Sequence, residues 1–327
     1  MSDDTISLGP GREFDAIRGF LRGGRLPGRV RIGPGDDGCV LEGGWVLSTD
    51  LMVEDVHFRR VWLSDREIGY RAAAAALSDL AAMSASAVGL LVSVASPRTG
   101  VDLQALQAGV QEAADAAGAA VLGGDLSRSP GPLFIDVAVV GTSHSPTLRN
   151  GALPGDEVWV TGSLGAAAAA VRVWESGEEP ADSLRRAFAR PPFRTREAGG
   201  LAEEERVHAL IDLSDGLVGD VGHVAAGSGV RIVLEPPQVP LVPAAVSALG
   251  FEEARRLALH GGEDYELCFA APPGVVNPGR FEAHFGVTLT RVGRVEEGEG
   301  VWLDDGDGEP VRAERGGFDH LGGEGAG

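Results

Sequence analysis

A run of acidic residues between positions 33 and 58 is the first place in this sequence where side chains could do chemistry. Around the short apolar run 45–47 it carries five carboxylates, at Asp36, Asp37, Asp50, Glu54 and Asp55. Asp50 follows the apolar run, and α/β proteins commonly place ligands at strand ends. Crowded carboxylates repel each other unless a cation lies between them. Mg²⁺, which binds carboxylates together with phosphate oxygens, is the expected cation; the alternative is a plain surface turn at 36–38.

The same pattern of an apolar run, small residues and Asp recurs along the chain, at Asp79, Asp125, the Asp212/Asp215 pair and the Gly-Gly-Glu-Asp turn that contains Glu263. Each instance alone has a structural explanation, because Ser and Asp are preferred helix caps and Gly-Gly-Asp is a common turn. Taken together, carboxylates that end strands in both halves of the chain have one shared explanation, metal ligation. This favours phosphoryl transfer assisted by several Mg²⁺ ions, which bridge phosphate oxygens and neutralise their charge.

The basic residues exclude several classes of phosphate and amine chemistry, since all 28 are arginines. Without lysine the chain has no Walker A loop, no strand lysine of the protein-kinase type and no Schiff-base amine. Arg149, in a loop after a predicted strand, could make a bidentate phosphate contact. The formal net charge of −20 argues against nucleic acid and anionic membranes as partners.

Cysteine usage and the N-terminus indicate a location. Cys39 and Cys268 lack CxxC spacing and lie beside apolar residues, which predicts buried, unreactive thiols in a reducing compartment. The N-terminal residues show no signal pattern, and no apolar run reaches membrane length. We therefore expect a soluble, cytoplasmic protein.

The elements that would carry these residues alternate between helix and strand. Alanine-rich composition and the Ser64-Asp65 start predict helices at 65–83 and 101–117, after a short helix at 11–21. Apolar runs predict strands at 87–95, 119–122, 133–141, 157–161, 207–211, 230–234 and 267–270. The polar, Pro-containing segment 142–156 is the best boundary. The predicted fold class is α/β (α+β), with two α/β domains at 1–150 and 151–327.

The resemblance to a known family rests on six motifs in a fixed order, GPGDDGCVL, LSTDLMVEDVHF, ALSDLAAMSA, VLGGDLS, IDLSDGL and HGGEDYEL. They resemble thiamine-monophosphate kinases, which share a superfamily with aminoimidazole ribonucleotide synthetase and selenophosphate synthetase. The resemblance covers residues 11–320. It implies ATP-dependent phosphorylation of thiamine monophosphate to thiamine diphosphate by a homodimer. Its N-terminal mixed sheets would form the dimer interface, and a C-terminal α/β sandwich domain would complete the active site.

The same resemblance assigns roles to individual residues. The implied Mg²⁺ ligands are Asp36, Ser48, Thr49, Asp50, Asp79, Asp125, Asp212 and Asp215. The implied ATP contacts are Gly124, Arg149 and Ser214, and the implied thiamine contacts are His57, Glu263 and Phe318. Asp37 and Asp55 are thereby less expected as ligands than their place in the first acidic run suggests.

The acceptor chemistry requires no general base, because a phosphate monoester is largely ionised at neutral pH, with a second pKa of about 6. We therefore predict direct in-line transfer with no catalytic base, and His57 as a substrate contact or a structural residue. The segment QALQAGVQ lacks the aromatic residue that the family often has near Gly-Gly-Asp, so adenine recognition stays unassigned. Two alternatives remain, namely another superfamily member with a different substrate, and a non-catalytic, acidic dimer that binds metal or nucleotide.

Overall fold

The computed structural model describes residues 12–21, 24–204 and 206–313. Within these ranges the first half contains, in chain order, α1 (Arg12–Leu21), β1 (Val30–Ile32), β2 (Cys39–Leu41), β3 (Trp45–Val53), α2 (Asp65–Ala82), β4 (Ser86–Ser96), α3 (Leu103–Ala116), β5 (Ala120–Arg128) and β6 (Phe134–Thr142). These strands form one sheet in the order β1-β2-β3-β6-β4-β5. Since β4 and β5 are parallel and the other neighbours are antiparallel, the sheet is mixed, as predicted.

A second sheet is built from the second half. The elements are β7 (Glu157–Thr161), α4 (Ala166–Glu175), α5 (Asp182–Ala189), α6 (Thr195–Glu204), β8 (Ala209–Asp212), α7 (Leu217–Ser228), β9 (Arg231–Leu234), α8 (Pro243–Leu249), α9 (Phe251–His260), β10 (Leu267–Ala271), α10 (Pro278–Phe285), β11 (Leu289–Glu296), β12 (Gly300–Leu303) and β13 (Val311–Arg312). The strand order is β13-β12-β9-β11-β7-β10-β8. The predicted α/β (α+β) class is confirmed.

Helix α2 connects the two sheets, because it packs against β3 and β6 of the first and β8 of the second. Its start is fixed by a capping box, in which Ser64 Oγ accepts from the Glu67 N–H and the Glu67 carboxylate accepts from the Ser64 N–H. Its middle is an alanine run, Ala72 to Ala76, that is completely buried. Small side chains let the neighbouring elements approach α2 closely on all sides.

The two faces of the first sheet have different environments. On β6, Val137 pairs with Asp50 of β3 and Val92 of β4, so these three side chains share one face. That face is covered by α2. The neighbouring residues point the other way, and Leu51 on that opposite face is 50% exposed. One face of the sheet is thus packed in the core, and the other is open in the single chain.

Two predicted strand ends are wrong. The apolar pattern predicts that one strand ends before Asp50 and another before Gly124 and Asp125, but β3 continues to Val53 and β5 continues to Arg128. Polar residues inside these strands interrupt the apolar pattern by which strands are recognised in a sequence. The short strands β1, β2, β12 and β13 were not predicted either.

The predicted boundary at 142–156 falls between the two sheets, whose strands end at residue 142 and begin again at residue 157. The hydrophobic core does not stop at this boundary. Trp174, Leu184 and Phe188 of the second half pack in the same apolar cluster as Leu77 and Leu80 of α2. The division into domains at residue 150 stays a prediction.

The cysteines and the apolar character of the helices were also predicted. Cys268 is buried, and burial raises the pKa of its thiol, whereas Cys39 is only half-buried. The prediction of two buried cysteines is therefore confirmed for Cys268 alone. Among the described residues, no helix combines the length and apolar character that crossing a bilayer demands.

Candidate active site

The C-terminal end of α2 brings carboxylates of both halves together. Ser78 Oγ donates to the Asp212 carboxylate at the end of β8, at 2.6 Å. The next residue, Asp79, accepts from Ser48 Oγ of β3, also at 2.6 Å. Ser78 and Asp79 are consecutive on α2, yet Ser78 bonds to the second sheet and Asp79 to the first. Ser78-Asp79 is a possible helix N-cap from its residue types, but the pair lies inside the last turns of α2.

The tightest acidic group within the described ranges consists of Asp37, Asp79 and Asp212. One carboxylate oxygen of each lies within 4.8 Å of the other two. Oxygen atoms at this spacing could bind one divalent cation with small adjustments. Asp79 and Asp212 were predicted ligands, whereas Asp37 had been left out. The signal for Asp37 in the sequence is its place beside Asp36 in the first acidic run.

Arg149 is the cation of this cluster. It lies in the segment between the two sheets, and its guanidinium forms an ion pair with Asp37 and lies 3.6 Å from Asp36. Its main-chain N–H also donates to Asp36 at 3.1 Å. Since the side chain is only 8% exposed, Arg149 is buried against the carboxylates.

Three carboxyl groups at this site have raised pKa values, because they are buried and close to other carboxylates. Burial, followed by repulsion from Asp37, raises the pKa of Asp36 to about 7, against the attraction of Arg149. Burial and repulsion from Asp37 likewise raise the pKa of Asp212 to about 7. The pKa of Asp79 is raised by burial and by Asp212. Without a cation the cluster retains protons near neutral pH, so a bound divalent ion would relieve the repulsion.

Thr49 and Asp125 lie on the opposite face of the first sheet from Ser48 and Asp50. Thr49 pairs with Ala138 on the open face, and its hydroxyl donates to Asp136 at 2.7 Å. Asp125 pairs with Ser93, which in turn pairs with Asp136. Asp125 is also three strands away from Asp50, or roughly 14 Å at the usual strand spacing. The structure therefore does not bring these two residues into the cluster of Asp37, Asp79 and Asp212.

Gly124 occupies a position where packing alone requires glycine. Its φ is +152°, and a Cβ there would overlap the main-chain oxygen of Val92 on β4. The close approach of β5 to β4 explains this residue without a ligand.

The turn after β8 holds the other predicted residues of the second half. Ser214 and Asp215 are both half-buried. Asp220, on the first turn of α7, accepts from the N–H groups of Asp215 and Gly216 at 3.1 and 3.0 Å. Sequence reasoning missed Asp220, although an Asp four residues after Gly216 could have been expected to cap this turn.

The two carboxylates of the Gly-Gly-Glu-Asp turn contact different parts of the structure. Asp264 is buried and accepts from the Gly165 N–H at the start of α4, so it caps that helix end, while burial raises its pKa to about 8. Glu263 remains 26% exposed and forms an ion pair with Arg71, a completely buried residue of α2. The turn docks on the neighbouring loop through the Glu263 N–H, which donates to the Ser214 carbonyl at 2.8 Å.

His57 lies in the turn that follows β3. Its Nδ1 accepts from the Val53 N–H at 3.0 Å, so Nε2 carries the hydrogen of the neutral ring. The neighbouring Glu54 accepts from the Leu133 N–H at 2.8 Å, which is a structural role. Asp55 is exposed with a φ of +67°. The prediction for Phe318 lies outside the described residues.

Comparison with known proteins identifies the family. Residues 35–143 match the model of the AIR synthase related protein, N-terminal domain, and residues 154–303 match that of the AIR synthase related protein, C-terminal domain. Thiamine-monophosphate kinase of Mycobacterium tuberculosis is 36% identical over 80% of this chain and 81% of its own length. The Escherichia coli K12 enzyme of that name is 32% identical over 95% and 96%, respectively.

Solved structures agree with these sequence comparisons. A structure described as AaThiL complexed with AMPPCP and TMP has a TM-score of 0.79, with 29% identity over 95% of this chain and 97% of that chain. Thiamine-monophosphate kinase from Stenotrophomonas maltophilia K279a has a TM-score of 0.75, with 33% identity over 91% and 97%. Escherichia coli HypE, at 23% identity and a TM-score of 0.69, shares the fold. The chain belongs to the thiamine-monophosphate kinase family of the AIR synthase related proteins.

Proposed function

We propose that this protein transfers the terminal phosphoryl group of ATP to the phosphate of thiamine monophosphate, giving thiamine diphosphate and ADP. The observation that carries the proposal is the meeting of carboxylates from both halves of the chain at the end of α2, in a member of this family. AaThiL, which binds AMPPCP and TMP, supports the choice of both substrates. The test is incubation with Mg-ATP and thiamine monophosphate, followed by chromatography. Thiamine diphosphate and ADP are expected in equal amounts.

Mg²⁺ is proposed as the metal because the donor set suits it. The cluster offers carboxylates, the Ser48 and Ser78 hydroxyls and no sulfur ligand among the described residues, and hard oxygen donors are what Mg²⁺ prefers. When bound, the metal would neutralise charge on the phosphate oxygens. The residues proposed to hold it are Asp36, Asp37, Ser48, Asp50, Asp79, Asp212 and Asp215. Thr49 and Asp125 stay predicted ligands, but they lie on the open face, apart from this cluster.

The chain's own residues would bind and align the two phosphates. Arg149 is proposed to bind phosphate oxygens of ATP through its planar guanidinium. It would then give up part of its ion pair with Asp37. Ser214 and the main chain at Gly124 are proposed as further ATP contacts. His57, Glu263 and Phe318 are proposed to contact the thiamine part. No residue acts as a base, because the acceptor phosphate is already ionised.

Stability of the metal-free protein is expected to depend on pH. The raised pKa values of Asp36 and Asp212, both about 7, mean that the folded state binds protons that the unfolded state has released. The contribution of these groups is fully present below their usual pKa of about 4 and is lost as pH rises through about 7. Mg²⁺ replaces the protons. At 100 times its dissociation constant it should stabilise the protein by about 2.7 kcal/mol, or roughly 5 °C in Tm.

This prediction is checked by thermal melting with and without Mg²⁺ at about pH 8 and about pH 5. The increase in Tm should be larger at the higher pH. An equal increase in Tm at both pH values would show that Mg²⁺ does not compete with protons for Asp36 and Asp212, contrary to the prediction.

The homodimer is proposed to form through the open face of the first sheet. Leu51, Leu91 and Trp45 on β3 and β4 are 50%, 43% and 43% exposed, and β5 pairs only with β4 among the described residues, which makes it an edge strand. Exposed apolar residues on one sheet face, next to an open edge, are typical of an interface. Association there would also bring a second copy close to Thr49 and Asp125.

Leu91→Asp is expected to convert the dimer to a monomer, because it places a charge in the middle of this face. The measurement is the molar mass in solution by light scattering. Val61→Asp is the matched control, since Val61 is 87% exposed outside the sheet, and it should leave the mass unchanged. A Leu91 variant that keeps the dimer mass would exclude this face as the interface.

A further inference from the structure

A completely buried arginine lies beside the proposed thiamine end of the site. Arg71 is 0% exposed on α2, seven residues before Ser78, so both residues lie on one side of the helix. Arginine is rarely buried without a partner. The composition of this segment, one arginine followed by alanines, gave no reason to single it out.

The guanidinium of Arg71 is fixed on one side by the second half of the chain. Its Nη1 donates to the Phe188 carbonyl at 2.5 Å, and its central carbon lies 3.9 Å from the centre of the Phe188 ring. That ring makes edge contacts with Trp62 and Trp174, which stack on each other at 5.0 Å. The hydrogen bond and the ring contact both hold the guanidinium against Phe188.

On its other side Arg71 meets the Gly-Gly-Glu-Asp turn. Its Nη2 forms an ion pair with Oε2 of Glu263, and the Tyr265 hydroxyl lies 3.4 Å from the same oxygen. Within the described residues, both of these side-chain contacts go to Oε2, which leaves Oε1 for a ligand. Nε and Nη2 of Arg71 are both buried and make no hydrogen bond within the described part of the chain, so Nη2 contacts Glu263 through the ion pair alone.

The main chain of the turn is equally constrained. Glu263 and Tyr265 have φ values of +67° and +50°, which non-glycine residues adopt only when their surroundings enforce it. The two N–H groups donate to the carbonyls of Ser214 and Leu213 at 2.8 Å each. The direction of the Glu263 side chain is therefore set by Arg71, while its main chain is set by the loop after β8.

The energetic cost of burying a guanidinium indicates a function beyond stability. An ion pair with one buried partner contributes little net stability compared with apolar residues of similar volume. A buried leucine or methionine would avoid the cost of removing a guanidinium from water. What the arginine provides is a fixed positive charge at one oxygen of a carboxylate that is still 26% exposed.

We propose that Arg71 is a positioning residue for the acceptor substrate: it holds the Glu263 carboxylate in one orientation, with Oε1 presented to a cationic heteroaromatic ring. The inference rests on the proposed function, in which thiamine monophosphate supplies that ring. Arg71 acts through Glu263 and does not itself touch the substrate.

The experiment compares Arg71→Met, Arg71→Lys and Glu263→Gln by steady-state kinetics with each substrate varied in turn. Arg71→Met should raise KM for thiamine monophosphate by about 10- to 100-fold, because a misplaced contact group loses binding on this scale. KM for ATP should stay within about twofold of the original protein. Arg71→Lys should give an intermediate KM for thiamine monophosphate. An ammonium retains the positive charge, but it lacks the planar guanidinium that contacts Phe188 and Glu263 at once.

A double-mutant cycle separates positioning from a general structural effect. If Arg71 acts through Glu263, adding Arg71→Met to the Glu263→Gln protein should change KM for thiamine monophosphate by less than about twofold. Arg185→Met is the matched control, because Arg185 also joins the second half to α2, through Glu67, outside the site. It should leave both KM values unchanged.

Several outcomes would overturn the inference. They are additive effects in the cycle, equal increases in both KM values for Arg71→Met, or an original KM for thiamine monophosphate in Arg71→Lys. Should Arg71→Met fail to fold, as judged by thermal melting, the lysine variant and its cycle with Glu263→Gln decide the matter. Unmutated protein that forms no thiamine diphosphate refutes the proposed function and this inference with it. Arg71 variants that form thiamine diphosphate with an unchanged KM for thiamine monophosphate refute the inference alone.

Discussion

Replacing Asp212 by Asn is expected to lower kcat for phosphoryl transfer by about a thousandfold, equivalent to ~4 kcal/mol. Asp212 ends β8, is 3% exposed and belongs to the tight acidic group with Asp37 and Asp79. The amide keeps the shape of the carboxylate and can still accept from Ser78. It removes the negative charge that the carboxylate offers to a metal. The fall in kcat therefore measures the effect of that charge.

The same substitution should leave the fold intact. Because burial and Asp37 disfavour the ionised form of Asp212, the neutral amide relieves repulsion, and the metal-free variant should melt at or above the original temperature near pH 8. The increase in Tm on adding Mg²⁺ should shrink. Asp304→Asn is a suitable control, since Asp304 pairs with Arg294 in the second half, away from the cluster. Near-original turnover in Asp212→Asn would remove this residue from the proposed metal ligands.

Replacing Gly109 by Ala is expected to have the largest effect on stability, about 3 kcal/mol or more, since the added methyl overpacks a helix crossing. A Cβ on Gly109 of α3 would overlap the main-chain oxygen of Arg66 on α2. Gly69 of α2 has the reciprocal relation to the Leu106 carbonyl. The two backbones are in contact at this crossing, so a larger side chain on α3 would displace α2. Tm should fall by roughly 6 °C or more.

Gly199→Ala provides the matched control for this prediction. Gly199 also lies inside a helix, α6, but a Cβ there has no atom within 4 Å. Alanine is the better helix former, so this variant should be stabilised by about 0.5–1 kcal/mol. Thermal melting of both variants gives the comparison. If Gly109→Ala and Gly199→Ala changed Tm in the same direction, helix propensity would outweigh packing at the crossing, contrary to the structure.

Helix α2 accounts for much of the site's construction. Arg71, Ser78 and Asp79 lie within two and a half turns of one helix, and they contact Glu263, Asp212 and Ser48, respectively. A shift of α2 would therefore disturb the proposed metal and thiamine ends together. This explains why Gly109→Ala, far from the carboxylates in sequence, is expected to lower activity as well as stability.

Local signals in the sequence were sufficient for several features. Ser64-Asp65 predicted the start of α2, and the alanines that follow predicted its length, because capping and helix propensity depend on residues a few positions apart. The strand Glu157–Thr161 was predicted with its observed bounds from its own apolar pattern. The ordered acidic motifs also predicted the family, since each motif is a short contiguous segment.

Tertiary structure decided which of these residues meet. Ser48 and Thr49 are adjacent in sequence, yet only Ser48 contacts Asp79, because side chains alternate across β3 and the strand continues through Asp50. Arg71 and Glu263 are joined by the packing of α2 against the second half, which no local pattern reveals. The sequence by itself determined the kinds of side chain and the helices and strands that carry them. Their grouping depended on strand register and on contacts between residues more than a hundred positions apart.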